Sequence, residues 1–122
     1  MAVRIVLDKA VLNGIHEKAA QAALETMEAV RTDLVSSQTM PYDVGTMQGS
    51  LHADQFEAGT EIHTALQTDG PQARRLYFHP EYNFQTGNNP NAGAAWYAPY
   101  EAGGAKEQFI PQTFAAKLKE KL

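Results

Sequence analysis

HEKAAQAALETMEAVRTDLVSS, His16 to Ser37, decides what kind of fold this chain takes. Ala, Glu, Lys and Gln, all strong helix formers, dominate it. Within it and just before it, Leu12, Ile15, Ala19, Ala22, Ala23, Met27, Val30 and Leu34 recur at steps of three and four. That spacing predicts one amphipathic helix over residues 9 to 36, with Asp8 or Asn13 as its cap. The apolar face is largely alanine, which lets another element approach closely. Upstream, MAVRIVL alternates loosely and reads either as a short strand or as a disordered lead-in.

Downstream the period changes. TMPYDVGTMQGS, with Pro41, Asp43, Gly45 and Gly49, ends the helical pattern and reads as turn. In TEIHTALQT, Thr60, Ile62, Thr64 and Leu66 face one way, and Glu61, His63, Ala65 and Gln67 the other. A period of two is a strand signal. With SLHADQF before it, this predicts antiparallel strands at residues 50–56 and 60–68. A three-residue loop, Glu57 to Gly59, would join them and set Phe56 opposite Thr60. PQARRLYF suits one helical turn. NFQTGNNPNAGAA is polar and glycine-rich, a loop expected to be mobile in an isolated monomer. It lacks the spacing and the Lys-Ser/Thr pair of a phosphate loop. FIPQTFAAKLKEKL closes the chain as a short helix, with Pro111 in its first turn and Phe114, Leu118 and Leu122 four apart.

The expected class is therefore α+β: a long N-terminal helix packed on a small antiparallel sheet, a long irregular loop and a short C-terminal helix. Residues 1–122 read as one domain. There are no cysteines, so disulfide frameworks and cysteine zinc sites are excluded. No apolar run approaches the roughly 18 residues of a membrane span. MAVRIVLDKAVLNG is broken by Arg4, Asp8 and Lys9, which argues against a signal peptide. The formal charge of −4, with scattered basic residues, weighs against a nucleic-acid binder.

The histidines are His16, His52, His63 and His79. In the expected hairpin, His52 and His63 lie diagonally, and a one-residue slip would turn them to opposite faces. No carboxylate sits at a spacing that would complete a metal site with them. His79, between Phe78 and Pro80, suits a hydrogen bond that fixes a turn. Asp43 is placed to accept backbone N–H bonds from Gly45 or Thr46 in an Asx turn. Arg74 and Arg75 form no groove; pairing with Glu81, Glu101 or Asp43 is the ordinary role for one of them. Seven of the eleven aromatics lie between Tyr77 and Tyr100, without the positive groove that base stacking needs. They read as a second small core or as an interface, for which tyrosine and tryptophan are well suited. No G-x-S-x-G or H-E-x-x-H occurs, and the aspartates are isolated, so the reading is non-enzymatic with no cofactor.

Two stretches together resemble a known group. PYDVGTMQGSL supplies Pro41, Tyr42, Asp43, Gly45 and Ser50, with Val44 where threonine is usual and Met47 where leucine is usual. ARRLYFHPEYNF supplies Arg75, Leu76, Tyr77, His79, Pro80, Glu81, Asn83 and Phe84, and Trp96 follows an Asn-Pro and small-residue run. This pattern is similar to the minor capsid proteins of tailed phages and prophages of Gram-positive bacteria, which are related to neck and tail-completion proteins. The resemblance implies a structural virion protein, made in the host cytoplasm and placed at the head–tail junction. It implies a homo-oligomeric ring, hexamer or dodecamer, between the head connector and tail proteins. DNA would pass nearby without sequence-specific binding, which a negative charge suits. The interface or structural-motif residues would be Pro41, Asp43, Gly45, Ser50, Arg74, Arg75, Tyr77, His79, Glu81, Phe84 and Trp96. The alternatives are a tail terminator or capsid-associated protein of the same fold, or a prophage binding protein outside the virion.

Overall fold

The computed structural model describes residues 2–12, 14–37, 51–68, 77–78 and 95–122. The class is α+β, with a three-stranded antiparallel sheet and helices on one face. In chain order come strand β1 (Ala2–Asp8), helix α1 (Lys9–Leu12), helix α2 (His16–Ser37), strand β2 (His52–Ala58) and strand β3 (Glu61–Gln67). A 3₁₀ turn, Ala98–Tyr100, and helix α3 (Phe109–Lys121) complete it.

AVRIVLD, Ala2 to Asp8, is a strand, and it takes an edge of the sheet. The order is β1-β3-β2, so β3 sits in the middle. Both neighbours run antiparallel to it, with Ile5 and Gln55 flanking Thr64. One face carries Val3, Ile5, Ala53, Gln55, Ile62, Thr64 and Leu66. This is the face turned to α2, whose Ala19, Ala22, Ala23, Thr26, Met27, Val30 and Leu34 are buried. The alanines bring the helix close enough for a sheet side chain to reach its backbone. Gln55 Nε2 donates to Ala20 O at 2.8 Å and to Thr64 Oγ1 at 2.8 Å. Thr26 Oγ1 bonds back to Ala22 O at 2.7 Å, which satisfies a hydroxyl that would otherwise be stranded in the core.

The helix expected over 9 to 36 is interrupted. Asp8 does act as a cap, its Oδ1 accepting the Ala10 N–H at 2.9 Å, but the helix it caps is only α1. Gly14, with φ of 91°, turns the chain before α2 begins. The interruption has a physical reason in the sheet. Lys9 N donates to Thr60 O at 2.7 Å and Lys9 Nζ reaches Glu57 Oε2 at 2.6 Å, so α1 is held against the hairpin end. The apolar spacing carries across the break and could not reveal it.

The hairpin also differs from expectation. Ala58 pairs with Glu61, leaving a two-residue loop of Gly59 and Thr60. Gly59, with φ of 62°, occupies the first central position, where the favoured tight hairpin turn asks for glycine. The strands consequently run 52–58 and 61–67, and Phe56 pairs with His63 instead of Thr60. The split of faces along β3 is as the sequence predicts.

The closing helix packs along α2. Phe109 meets the Tyr100 ring edge-on, with centroids 5.7 Å apart. At the far end Lys121 Nζ lies 2.6 Å from Glu25 Oε2. Pro111 falls in the first turn, where its missing N–H costs nothing. No residue of α3 is fully buried. Among the described residues, no helix is long and apolar enough to cross a membrane.

Candidate functional site

Of the proposed motif residues, the described part of the chain contains Tyr77 and Trp96. Pro41, Asp43, Gly45, Ser50, Arg74, Arg75, His79, Glu81 and Phe84 lie outside it, as do the expected Asx turn and, apart from Ala95 itself, the expected loop from Gln85 to Ala95. The two that are described meet. The Tyr77 and Trp96 rings are edge-on, with centroids 4.8 Å apart and planes at 86°. Ala95 N donates to Tyr77 O at 3.0 Å. The chain therefore leaves at Phe78 and returns at Ala95 from one anchored point. Ala95 has a φ of 51°, unusual for a residue with a Cβ, and it directs the returning chain into Trp96.

That anchor is part of the main core. Trp96, Tyr97 and Tyr100 are buried with Val3, Met27, Val30, Leu34, Leu51 and Leu66, and Tyr77 packs half-buried against them. Trp96 is 2% exposed, so its ring is held within its own subunit. Its Nε1–H finds no acceptor among the described residues. Phe78, by contrast, is 59% exposed beside the Tyr77 ring. Burial raises the Tyr77 hydroxyl pKa, and the nearby charge of Glu101 adds to this; the Tyr97 backbone N–H works the other way.

Two polar contacts fix the other described tyrosines, Tyr97 and Tyr100. The Tyr97 and Thr68 hydroxyls are hydrogen-bonded, tying the 3₁₀ turn to the end of β3. The Tyr100 hydroxyl donates to Asp33 Oδ2 at 2.5 Å, and Lys106 Nζ donates to the same oxygen at 2.7 Å. Burial pushes the Asp33 pKa up, but the bonds from Lys106 and Tyr100 outweigh it and leave it below the ordinary value. Burial and the Asp33 bond and charge push the Tyr100 hydroxyl far above the usual tyrosine range. The sequence offers no hint of this cluster, because its members lie far apart and follow no period.

The second surface feature is the outer sheet face. Across it, Val6, His63 and Phe56 form one row, and Arg4, Ala65 and Asp54 the next. His63 stacks on Phe56 with centroids 5.0 Å apart and planes at 6°. Its Nε2 lies 3.2 Å from Glu61 Oε1, while Nδ1 is buried without a partner among the described residues. Val6 and Phe56 remain 45% and 53% exposed. His52 shares this face but sits opposite Gln67, well along the strand from His63, and its Nε2 lies 3.0 Å from Asp54 Oδ2. The two-residue loop, which the sequence reading missed, is what brings Phe56 onto His63. Among the described residues, no group of three His, Cys, Asp or Glu converges as a metal site would require.

A scan against protein-family models and searches of curated proteins and of solved structures find no match to this chain.

Proposed function

We propose that the chain is a non-enzymatic virion protein, a ring-forming subunit at a phage head–tail junction that joins the head connector to the tail. The reading starts from the resemblance of its two motif stretches to phage minor capsid proteins. The observation that supports it is the contact between Tyr77 and Trp96. These are the residues of the second motif that fall in the described chain, and they form one structural unit. A rigid core thus holds both ends of the segment that carries His79, Glu81 and Phe84. A subunit that must place a recognition segment against its neighbours is served by that arrangement, since a loop anchored on a packed scaffold loses less entropy when it docks.

Ring closure needs two different faces on each subunit. The motif segment is one of them in this reading, and the solvent-facing side of α2 is the other. Deleting the gene from its phage or prophage and imaging the particles tests the proposal. Filled or leaking heads without attached tails are expected, with tails restored by the gene supplied in trans. A second arm reverses Arg74 and Arg75 and leaves Tyr77 intact, because Tyr77 supports the core. Normal infectious particles from the deletion would overturn the proposal. Normal particles from the charge reversal alone would remove those arginines from the interface.

A further inference from the structure

We propose that two copies of this chain pair through the open face of the sheet, with Arg4 of each copy over the partner's Asp54 and Val6 of each over the partner's Phe56. The inference stands on the sheet register and does not rest on the head–tail reading. Strands β1 and β2 both run antiparallel to β3, so they are parallel to each other. Arg4 and Asp54 both lie beside Ala65, and Val6 and Phe56 both lie beside His63. Positions on β1 and β2 in one row are thus at equal height, one strand to either side of the centre. A two-fold axis along the strands, lying over β3, exchanges β1 with β2 and keeps every row level. The same operation that sets Arg4 over Asp54 then sets Val6 over Phe56, and both contacts occur twice.

The side chains fit that operation. Arg4 is exposed and makes no ion pair with any described residue, and Asp54 is exposed with the half-buried His52 beside it. Ala65 between them is small and, at 4% exposed, already covered by its neighbours, so it adds no bulk of its own to the face. Val6 and Phe56 are among the largest apolar side chains left in water, and both are on this face. The rival axis, across the strands, would set Arg4 over Asp8. Asp8 accepts the Ala10 N–H as the cap of α1 and Asp54 carries His52 at 3.0 Å, so the charge-swapped variants below decide between the two axes. The like-charged contact in the favoured pairing is Glu61 on Glu61. It lies at the hairpin end of the face, and each carboxylate bonds His63 of its own chain.

The size of the face sets the strength. Three strands of seven residues cover roughly 14 by 24 Å, or about 350 Å² per copy. Stable pairs bury about 800 Å² per partner, so this contact is weak and needs high local concentration. The two symmetry-related ion pairs on its flanks make it salt-sensitive.

Sedimentation equilibrium on the full chain, up to about 1 mM at low salt, reads the result in the range where weak contacts are populated. The wild type is expected to shift from monomer toward dimer, and added salt to shift it back. Arg4→Asp and Asp54→Arg should each weaken association at least about tenfold, a change of 1.4 kcal/mol or more. The double variant, Arg4→Asp with Asp54→Arg, should recover it. Phe56→Ser, an uncharged probe of the same face, should also abolish pairing, with circular dichroism confirming that each variant is folded. A wild type that stays monomeric throughout, or single variants that associate as well as wild type, would overturn the proposal. A double variant no better than the singles would overturn the Arg4–Asp54 alignment.

Discussion

The Tyr100 hydroxyl donates to Asp33 Oδ2 at 2.5 Å, joining the turn before the closing helix to the C-terminal part of α2. Lys106 shares that oxygen at 2.7 Å and lies over the Tyr100 ring, 5.6 Å from its centroid. The cluster holds the aromatic end of the core against α2, and it has a pH signature.

Asp33 is held below its ordinary value of 3.8 in the folded state. A lowered carboxylate contributes stability above the unfolded value and loses it as pH falls through the folded one. Stability measured by urea unfolding should therefore decline below about pH 4 partly through Asp33. Asp33→Asn should cost about 1 kcal/mol at neutral pH, the scale of a half-exposed charged hydrogen bond, and flatten that acid limb. An acid limb of unchanged steepness in the variant would contradict this. At the alkaline end the sign reverses in pH. Tyr100 is raised, so its contribution is present below the usual tyrosine value of about 10 and is lost as pH rises beyond it. Tyr100→Phe should remove that alkaline loss.

Gly104 tests the turn between the 3₁₀ segment and α3. A Cβ built there would clash with Ala98 O and lie 2.5 Å from Pro99 O. Both are backbone atoms, and Lys106 N holds Pro99 O at 2.7 Å, so neither gives way easily. Gly104→Ala should destabilise the protein by about 1–3 kcal/mol, the usual cost of overpacking. An unchanged urea midpoint would show that this turn repacks freely.

Trp96 is the sole tryptophan and is 2% exposed, so intrinsic fluorescence reports on the core directly. Native emission should be blue-shifted and resistant to acrylamide quenching, with both properties lost on unfolding. Trp96→Ala should cost about 3–5 kcal/mol, a large part of what a domain this small possesses. Native emission like that of free tryptophan would place the ring in water and contradict the Tyr77–Trp96 anchor.

The hairpin turn offers a narrower check. Gly59→Val, at a φ of 62°, should destabilise by about 1–2 kcal/mol, because a β-branched side chain is strained in the left-handed region. Chemical shifts should show the loss confined at first to β2 and β3. Equal stability would mean that the turn adopts another conformation.

These tests fall on features of unequal legibility in the sequence. The buried face of α2 was readable because Ala19, Met27, Val30 and Leu34 repeat at helical spacing, and the faces of β3 because Ile62, Thr64 and Leu66 alternate with Glu61 and His63. The break at Gly14 was hidden because α1 and α2 share one apolar spacing. The hairpin register was missed by counting Glu57 and Ala58 as loop. Both are polar or small on an exposed strand end, where alternation gives no signal. Strand β1 is an edge strand with one wet face, and its short alternating run fits a lead-in equally well until β3 is there to pair with it. The Asp33–Tyr100–Lys106 cluster depends on tertiary packing alone. Aromatic density reads as a second small core or an interface, whereas Trp96 is buried in the main core with Met27, Val30 and Leu34.

The head–tail assignment is the central claim, and the composition of the virion tests it most directly. If the assignment holds, quantitative mass spectrometry of phage particles purified from cells that carry this gene, combined with cross-linking, measures both its copy number and its neighbours. The account predicts this protein in every particle at the copy number of one hexameric or dodecameric ring, cross-linked to the head connector on one side and to tail components on the other. Fully infectious particles that contain none of it would contradict the account.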